Sequence, residues 1–463
     1  MNKLFTGDNL YILHGLNSES VDLIYLDPPF NSKRKFDAPI GSKAAGASFE
    51  DMWNWSDVDS LYLEEIINNY PFLVQFIQTI GRINGDSMKS YITYMTQRII
   101  EMKRILKNTG SFYLHCDSTA SHYLKIVCDR IFKKNNFRNE IIWKRLNVSG
   151  KESQYKKKKY SSNTDIILFY TKSDDYFINP YRKLNEDEMK IKFPYGKFPN
   201  RYKLGTRLFR STTAGPRPNL CYQWRGFKNR SEAGWALSKE RLEEEYQKGN
   251  IVIKNEKSLE RRSYEKDYKG EPISNIWDDL NEWTKNERTK FPTQKPLSLM
   301  KRILLTSSKE NDVVLDPFCG CATTCIAAQQ LNRKWIGIDI SEASSKIMID
   351  RLSDDSALFK DFINIKSPPK RSDIKEVPVS NILRQEIYTN QKGQCNACDL
   401  QTDLRHFELD HIIPRSKGGG DYFENYQLLC SSCNRIKGDR PMAYLLLKIQ
   451  KINKLHKYEL SFS

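Results

Sequence analysis

The sequence predicts an α/β fold on an open parallel sheet, followed by a small metal-binding module. An apolar run from Val21 to Leu26 stops at two prolines, as a buried strand entering a loop does. A second run at 313–315 precedes a glycine-containing turn, a helix and a strand that ends at Asp339. Near the C-terminus, two Cys-x-x-Cys pairs are typical of a metal site.

Size and charge narrow the class of protein. A chain of 463 residues allows two or three domains, and its net charge of +17 favours a polyanionic partner. Residues 144–271 hold 30 Lys and Arg against 17 Asp and Glu, so +13 of that charge lies in the middle of the chain. No apolar run approaches the roughly 18 residues of a membrane span, and the start lacks a signal-peptide pattern. We therefore expect a cytoplasmic protein without a membrane partner.

The N-terminal part alternates strand and helix patterns. Apolar spacing predicts a helix over Thr96–Lys107, with Gly110 as its stop signal. Further strands are predicted at 111–114, 140–143 and 165–170, the last two bracketing a basic loop. This alternation is what a parallel sheet covered by helices requires.

The middle of the chain loses this pattern. No fold is predicted for about 173–270, which is polar, basic and dotted with aromatic residues. Order returns with a strand at 313–315, a helix through 327–328 and a strand at 335–338. We expect one domain over 1–365 with the 173–270 region inserted, a linker over 366–378 and a second domain over 379–463.

The turn after residue 315 has features of a nucleoside-binding loop. Gly320 would let the backbone approach a ligand, and Asp339, 23 residues after Asp316, would accept hydrogen bonds from ribose hydroxyls. A single glycine in such a turn is also compatible with a plain structural turn. The loop at Asp27 follows a similar strand, so both loops are expected to open on the same edge of one sheet.

The motifs together resemble the amino-group DNA methyltransferases of the permuted, beta arrangement. In chain order they are GDNLYIL, DPPF, SFYLHCD, EIIWKR, a basic insert, PTQKP, DPFCGCATT and GIDIS, over roughly residues 1–360. The resemblance implies a Rossmann-like sheet that binds S-adenosylmethionine, with a target-recognition region inserted between the two loops. It assigns cofactor binding to a set of loop residues: Asp316, Pro317, Phe318, Gly320, Asp339 and Lys295. Ala322 replaces the family's second glycine, so we expect weakened cofactor affinity.

The DPPF loop suits methylation of an exocyclic amine. The Asp27 carboxylate and the Pro28 carbonyl can each accept an N–H bond, which aims the nitrogen lone pair at the methyl group. The base must leave the duplex to reach this loop, and Phe30, after Pro29, would stack on it. In the family, Asp at the first position goes mostly with adenine N6, which leaves cytosine N4 as the alternative.

Cysteine spacing separates two groups. Cys319, Cys321 and Cys325 follow a turn and helix and are expected to be small buried side chains. The pairs that form the closed tetrahedral zinc pattern are Cys395, Cys398, Cys430 and Cys433.

The segment between these pairs resembles the HNH nucleases, over about 382–440. The resemblance implies that His411 is the general base, that Asp410 and Asn434 hold Mg²⁺ at the scissile phosphate, and that Asn425 orients the His411 loop. Position 434 is His in many members of that family. A zinc module that binds DNA without cleaving it is the alternative.

These resemblances imply an adenine-N6 DNA methyltransferase fused to an HNH endonuclease, as in a single-chain restriction and modification enzyme. Its expected cofactors are S-adenosylmethionine, structural Zn²⁺ and Mg²⁺, and its expected partner is double-stranded DNA. The positive charge allows RNA as a substrate equally well. A homodimer is compatible with the sequence.

Overall fold

The computed structural model divides the chain into two compact units, Met1–Asn179 with Ser274–Ser463, and Pro180–Ile273. The residues described are 2–30, 35–37, 48–50, 58, 63–145, 163–205, 208–211, 213, 215–229, 231–255, 258–280, 287, 289, 291, 293–355, 362–440, 442, 444–446, 448 and 449. Among them, no helix has the length and apolar character needed to cross a membrane.

The elements alternate as the sequence predicts. The strands are β1 (Asn2–Thr6), β2 (Val21–Leu26), β3 (Lys35–Asp37), β4 (Ser48–Glu50), β5 (Leu106–Cys116), β6 (Phe137–Lys144), β7 (Thr164–Thr171), β8 (Tyr181–Arg182), β9 (Tyr202–Leu204), β10 (Gln223–Trp224), β11 (Phe227–Lys228), β12 (Ile251–Asn255), β13 (Ser258–Tyr264), β14 (Glu271–Pro272), β15 (Ile276–Trp277), β16 (Val313–Asp316), β17 (Lys334–Asp339), β18 (Phe362–Ile365), β19 (Phe407–His411) and β20 (Tyr426–Cys430). The α-helices are α1 (Asn9–Gly15), α2 (Leu63–Asn69), α3 (Pro71–Asn84), α4 (Asp86–Ile105), α5 (Ser121–Phe132), α6 (Glu186–Lys192), α7 (Lys239–Gln247), α8 (Leu297–Ser307), α9 (Thr323–Gln330), α10 (Glu342–Asp355), α11 (Asn381–Asn390) and α12 (Ser431–Lys437).

A nine-stranded sheet organises the first unit, in the order β15-β6-β7-β5-β2-β16-β17-β1-β18. Only β7 is antiparallel to its neighbours in this sheet. The other strands therefore end at one edge, where β7 begins. The predicted α/β fold with a largely parallel sheet is confirmed, and this carboxyl edge is where such sheets bind ligands.

Burial explains why these segments form strands. The side chains of β2 are buried except for Asp22, and those of β16 are buried after its first residue. Strands covered by helices on both faces read as continuous apolar runs, which is the pattern seen in the sequence. At the sheet edge, the Asp8 side chain caps α1 by accepting from the Leu10 N–H at 2.9 Å.

Both predicted ends of one helix differ from the structure. The predicted Thr96–Lys107 helix begins ten residues earlier, at Asp86, and ends at Ile105. Gly110 does not stop it but lies within β5, because the fully buried Leu106 already pairs with Val21 of β2. Tertiary pairing with β2 thus overrides the local stop signal. The basic loop between 145 and 163 falls outside the described residues.

The second unit, Pro180–Ile273, contains the segment for which no fold was predicted. Its core is a cluster of buried apolar side chains: Leu208, Trp224, Trp235, Leu242 and Ile251. A three-stranded antiparallel sheet, β12-β13-β9, runs beside two-stranded pairings. The scattered aromatic residues of this stretch therefore build a small core, which neither a helical nor a strand period reveals.

The C-terminal module is a β-hairpin and a helix. β19 pairs antiparallel with β20, and α12 follows directly. The preceding segment, predicted as a linker, is hydrogen-bonded to the chain after α1: Ser372 exchanges two bonds with the Asn17 side chain, and Asp373 accepts from the Ser18 N–H. The Tyr422 hydroxyl lies 3.1 Å from Nε2 of His14 in α1. These contacts hold the module against the first turns of the chain.

Candidate functional site

The two predicted loops are neighbours at the carboxyl edge of the sheet. β2 and β16 pair in parallel, with Leu23 opposite Val314 and Ile24 opposite Leu315. Asp27 and Asp316 therefore stand at the ends of adjacent strands. The expectation that both loops open on one edge is confirmed.

Asp27 has one occupied and one open carboxylate oxygen. Lys295 of the PTQKP segment donates a hydrogen bond to Asp27 Oδ2. Asp27 Oδ1 is buried and, among the described residues, has no hydrogen-bond partner. A buried acceptor without a donor is costly unless a ligand supplies one. Lys295, predicted at the cofactor, thus contacts the DPPF carboxylate directly.

Phe30 is half-buried rather than part of the core. Its ring stacks on His115 at the end of β5, with ring centroids 5.9 Å apart and planes 29° apart. The Lys295 ammonium lies 5.6 Å from its ring centre. Phe30 therefore has one face backed by another ring, as a stacking platform requires.

His115 was missed by the sequence analysis. It is fully buried, its Nδ1 lies 2.9 Å from the Tyr25 hydroxyl, and its Nε2 lies 3.0 Å from Asp165 Oδ2. Burial, with nearby carboxylates adding to it, raises the pKa of Tyr25 well above its usual value, so the hydroxyl stays protonated. We assign the Tyr25 O–H as donor to Nδ1 and Nε2–H as donor to Asp165. These bonds fix the ring beneath Phe30.

Asp165 completes this buried pair from the start of β7. Burial opposes its ionisation, but the hydrogen bond from His115 and the charges of Lys295 and Arg145 outweigh burial and lower its pKa. Arg145 Nε lies 3.1 Å from Asp165 Oδ1. In the sequence, His115 follows the predicted strand 111–114, and Asp165 begins the predicted strand 165–170. Only the antiparallel pairing of β5 with β7 shows that these two residues lie next to each other.

The loop after β16 is shaped by backbone conformations that favour small residues. Gly320 has φ +51°, and a Cβ there would approach a ring carbon of Phe291 at 3.2 Å. Ala322 has φ +63° and precedes α9, in the left-handed region where glycine is favoured. The position at which alanine replaces the family's glycine is therefore one that strains a side chain.

Asp339 and Asp316 are buried carboxyl groups at this loop. Asp339 accepts from the Gly320 N–H at 3.0 Å and the Ser341 N–H at 2.8 Å, yet burial raises its pKa to about 6. Burial, with the charges of Asp27 and Asp339 adding to it, raises the pKa of Asp316 to about 7. Burial thus favours the neutral forms of these two carboxyl groups, and a cation bound at this edge would stabilise their ionised forms.

A buried arginine supports the same loop and was also missed. Arg98 of α4 donates to Asn9 Oδ1 at 2.5 Å and to Asp8 Oδ1 at 2.8 Å. Asn9 in turn donates to the Pro317 carbonyl at 2.8 Å. Asp8 and Asn9, at the start of α1, therefore hold the DPFCG loop (residues 316–320) in place. The helical position of Arg98 gave no signal beyond a charged residue on an otherwise apolar face.

The cysteines fall into the two groups that their spacing predicts. Cys319, Cys321 and Cys325 are buried, at most 5% exposed, among apolar neighbours. At the C-terminus one cluster brings four thiols together: Cys395, Cys398, Cys430 and Cys433, with all sulfur atoms within 4.8 Å of one another. Cys398 and Cys430 have sulfur atoms 3.9 Å apart. Four thiolates about 2.3 Å from a zinc ion would lie about 3.8 Å apart, so the donors fit it.

His411 lies at the end of β19, beside a loop that Asn425 holds closed. The buried Asn425 side chain accepts from the Ile413 N–H at 2.8 Å and donates to the Ile413 and Gly420 carbonyls at 3.0 and 2.9 Å. At Gly419 a Cβ would lie 1.8 Å from the Ile413 carbonyl oxygen, so only glycine fits. Asn425 thus links the two ends of the loop that follows His411.

His411 has a partner that the sequence analysis missed. Its Nε2 lies 2.8 Å from Asp421 Oδ1, and Arg415 binds both oxygens of the same carboxylate at 2.9 and 2.7 Å. These hydrogen bonds lower the pKa of Asp421, although its burial opposes them. A carboxylate on a histidine nitrogen orients the ring and fixes its tautomer.

Asp410 and Asn434, the two predicted ligands of Mg²⁺, form hydrogen bonds with different partners. The fully buried Lys437 lies 2.9 Å from Asp410 Oδ2, which also accepts from Gln427 at 2.7 Å. Asn434 donates to Glu408 Oε2 at 2.5 Å. Glu408 and Asp410 are two residues apart on β19 and so share one face of the hairpin. Lys437 therefore lies beside Asp410, and Glu408 lies beside Asn434, at the predicted Mg²⁺ site.

Comparison with known proteins finds a family match for each of the two parts of the chain. The DNA methylase family of N6/N4 type matches residues 21–350, and the HNH endonuclease family matches residues 395–440. The type II methyltransferase M.EcaI of Enterobacter cloacae is 28% identical over 423 residues, which cover 89% of this chain and 82% of that protein. The Mod subunit of the type III restriction-modification enzyme StyLTI of Salmonella typhimurium is 28% identical, covering 72% of this chain and 50% of that subunit.

Solved structures include a DNA modification methylase of Thermus thermophilus in complex with S-adenosyl-L-methionine. It is 16% identical, with a TM-score of 0.40, and the match covers 79% of this chain and 98% of that one. The family match alone spans well over half of the present sequence. The chain therefore belongs to the N6/N4 DNA methylase family and carries an HNH endonuclease domain at its C-terminus.

Proposed function

We propose that this DNA methyltransferase acts on N6 of adenine, with S-adenosylmethionine as the methyl donor. The observation that carries the proposal is Asp27 Oδ1, a buried acceptor without a donor among the described residues, at the end of β2. An incoming exocyclic N–H is the donor that this oxygen lacks. Asp rather than Ser at this position favours adenine over cytosine, as the resemblance to the beta arrangement implies.

The carboxyl groups at this edge of the sheet suit a cationic cofactor, which would stabilise their ionised forms. Asp27, Asp316 and Asp339 stand at the ends of three consecutive strands, β2, β16 and β17, and their charges act on one another. S-adenosylmethionine supplies an electrophilic methyl group on a positively charged sulfur. Gly320 and Ala322 would leave the backbone open to it, Phe318 would line the same loop beside Pro317, and Asp339 would accept from the ribose.

The DPPF loop would position the amine. The base leaves the duplex and stacks on Phe30, whose other face is backed by His115. Asp27 Oδ1 and the Pro28 carbonyl accept its two N–H groups, which turns the nitrogen lone pair away from the ring. Pro29 restricts the backbone between them. Lys295 is bonded to Asp27 Oδ2 and so leaves Oδ1 as the acceptor.

We further propose that the C-terminal module cleaves DNA. His411, oriented by Asp421, would take a proton from the attacking water, and Asn425 would keep its loop in place. Mg²⁺ would be held by Asp410 and Asn434 and would supply charge stabilisation at the scissile phosphate. Lys437 already places a positive charge at Asp410, so the metal would compete with a buried ammonium.

We expect about one zinc ion per chain, held by the four-cysteine cluster. Cys398→Ser should lower the zinc content and the melting temperature of the C-terminal module, because closed thiolate sites contribute directly to folding. Metal content by plasma mass spectrometry and a melt of the full chain check this. Cys221→Ser is the matched control, since Cys221 is a half-buried thiol outside the cluster. Unchanged zinc content in Cys398→Ser would contradict the assignment.

The function is tested by incubating the full chain with unmethylated plasmid, S-adenosylmethionine and Mg²⁺, then mapping modified bases and strand breaks on the same molecules. We expect N6-methyladenine at one recurring sequence, with breaks near it. N4-methylcytosine would overturn the choice of base, and preference for RNA in competition would overturn DNA as the substrate. Methylation without breaks would reduce the module to a zinc domain that binds DNA.

A further inference from the structure

Within the second unit, one loop presents an exposed aromatic ring on a braced base. Tyr195 and Tyr202 pair antiparallel and exchange backbone bonds of 3.1 and 2.8 Å, which closes the loop 196–201 between them. Their rings stack with centroids 5.5 Å apart. Phe198 lies at the tip and is 75% exposed. Residues 194–200 are all exposed, so the rest of this unit leaves most of the Phe198 ring accessible to a partner.

The base of the loop is fixed by ion pairs. Arg201, whose side chain is 8% exposed, binds Glu265 through two nitrogens at 2.5 and 2.8 Å and Glu186 at 2.9 Å. Gly196 has φ +80°, and a Cβ there would come within 2.9 Å of the Asn200 carbonyl oxygen. The loop is thus built around a tight turn, and its anchoring reduces the entropy lost when Phe198 contacts a partner.

The surrounding charge identifies the class of partner. Residues 189–231 contain eleven Lys and Arg and no Asp or Glu. Lys197 adjoins Phe198 and is exposed, and Lys203 follows on β9. Lys190, Lys192, Arg201 and Arg225 are paired with acidic residues that lie outside this stretch. The charge of the other cations, Lys197 among them, attracts phosphates, whereas an apolar protein partner would not require it. An exposed phenyl ring among cations matches the apolar wedges that DNA-binding proteins insert between base pairs.

We propose that Phe198 inserts at a base step of the bound DNA duplex while Lys197 contacts the adjacent phosphate. This inference rests on the proposed function and takes the 180–273 unit as the target-recognition region that the resemblance to the beta arrangement implies. The wedge would locally unstack the duplex, and a base next to an opened step leaves the helix more easily.

The test compares Phe198→Ala with Phe198→Leu in the full chain. Binding to the plasmid's methylated fragment is measured by fluorescence anisotropy. Insertion is measured by relaxing plasmid with a topoisomerase in the presence of each protein, without Mg²⁺ so that the plasmid stays uncut. The parent chain should unwind DNA and shift the topoisomer distribution. Phe198→Ala should abolish the shift and weaken binding about tenfold or more, as expected for one lost stacking contact. Phe198→Leu should retain part of both, because leucine can also act as a wedge.

The matched control is Ile191→Ala, which removes an 81% exposed apolar side chain from α6 in the same unit. It should leave binding and the topoisomer shift unchanged. A Phe198→Ala protein that shifts topoisomers and binds DNA like the parent would overturn the wedge, even if the parent methylates DNA. A parent chain that neither binds nor methylates DNA would instead overturn the proposed function.

Discussion

Replacing Asp27 by alanine should lower methyl transfer to DNA by about three orders of magnitude or more while leaving the protein folded. The substitution removes the buried Oδ1 acceptor and the partner of Lys295 together. The amine then keeps its lone pair delocalised into the base and cannot attack the methyl group. Incorporation of a labelled methyl group into DNA measures the loss.

Two further measurements separate chemistry from folding in this variant. Circular dichroism should change little, and binding of S-adenosylmethionine should weaken far less than methyl transfer falls, because Gly320 lies in the loop after β16 and Asp339 ends β17. Asp174→Ala is the matched control: it also removes a carboxylate that is paired with a basic side chain, but one with 86% of its own side chain exposed. Methyl transfer at the parent rate in Asp27→Ala would exclude the proposed role.

Replacing His411 by alanine should abolish DNA cleavage, by at least about a hundredfold, with methyl transfer unchanged. The ring is the proton acceptor that Asp421 orients at the end of β19. Because the DPPF loop lies on a separate sheet, removing the imidazole should not alter it. Nicking of supercoiled plasmid in Mg²⁺ measures cleavage, and methyl incorporation is followed on the same preparation.

His406→Ala provides the control, since His406 is an exposed histidine five residues earlier in the same module. It should cleave like the parent chain. Equal cutting by the parent and His411→Ala proteins would show that the breaks arise elsewhere. A parent that does not cut under any divalent cation, with zinc bound and methylation intact, would favour the module that only binds DNA.

Local patterns predicted much of the fold. The strand before Asp27, the strand before Asp316 and the strand ending at Asp339 were all predicted, because an apolar run broken by proline or a turn depends only on adjacent residues. The predicted C-terminal end of α4 was wrong because the pairing of Leu106 with β2 decided where the helix ended. The 180–273 unit could not be predicted, since its core joins aromatic residues with no regular period.

Spacing along the chain was enough to establish the order of the methylase motifs, the four-cysteine cluster and the presence of His411 and Asn425 in one module. It took the folded sheet to bring Lys295 to Asp27, 268 residues away, and His115 to Asp165. Such contacts depend on which strands are neighbours and on the reversed direction of β7. Strand order and direction are set by the packing of the whole sheet, which no local pattern records.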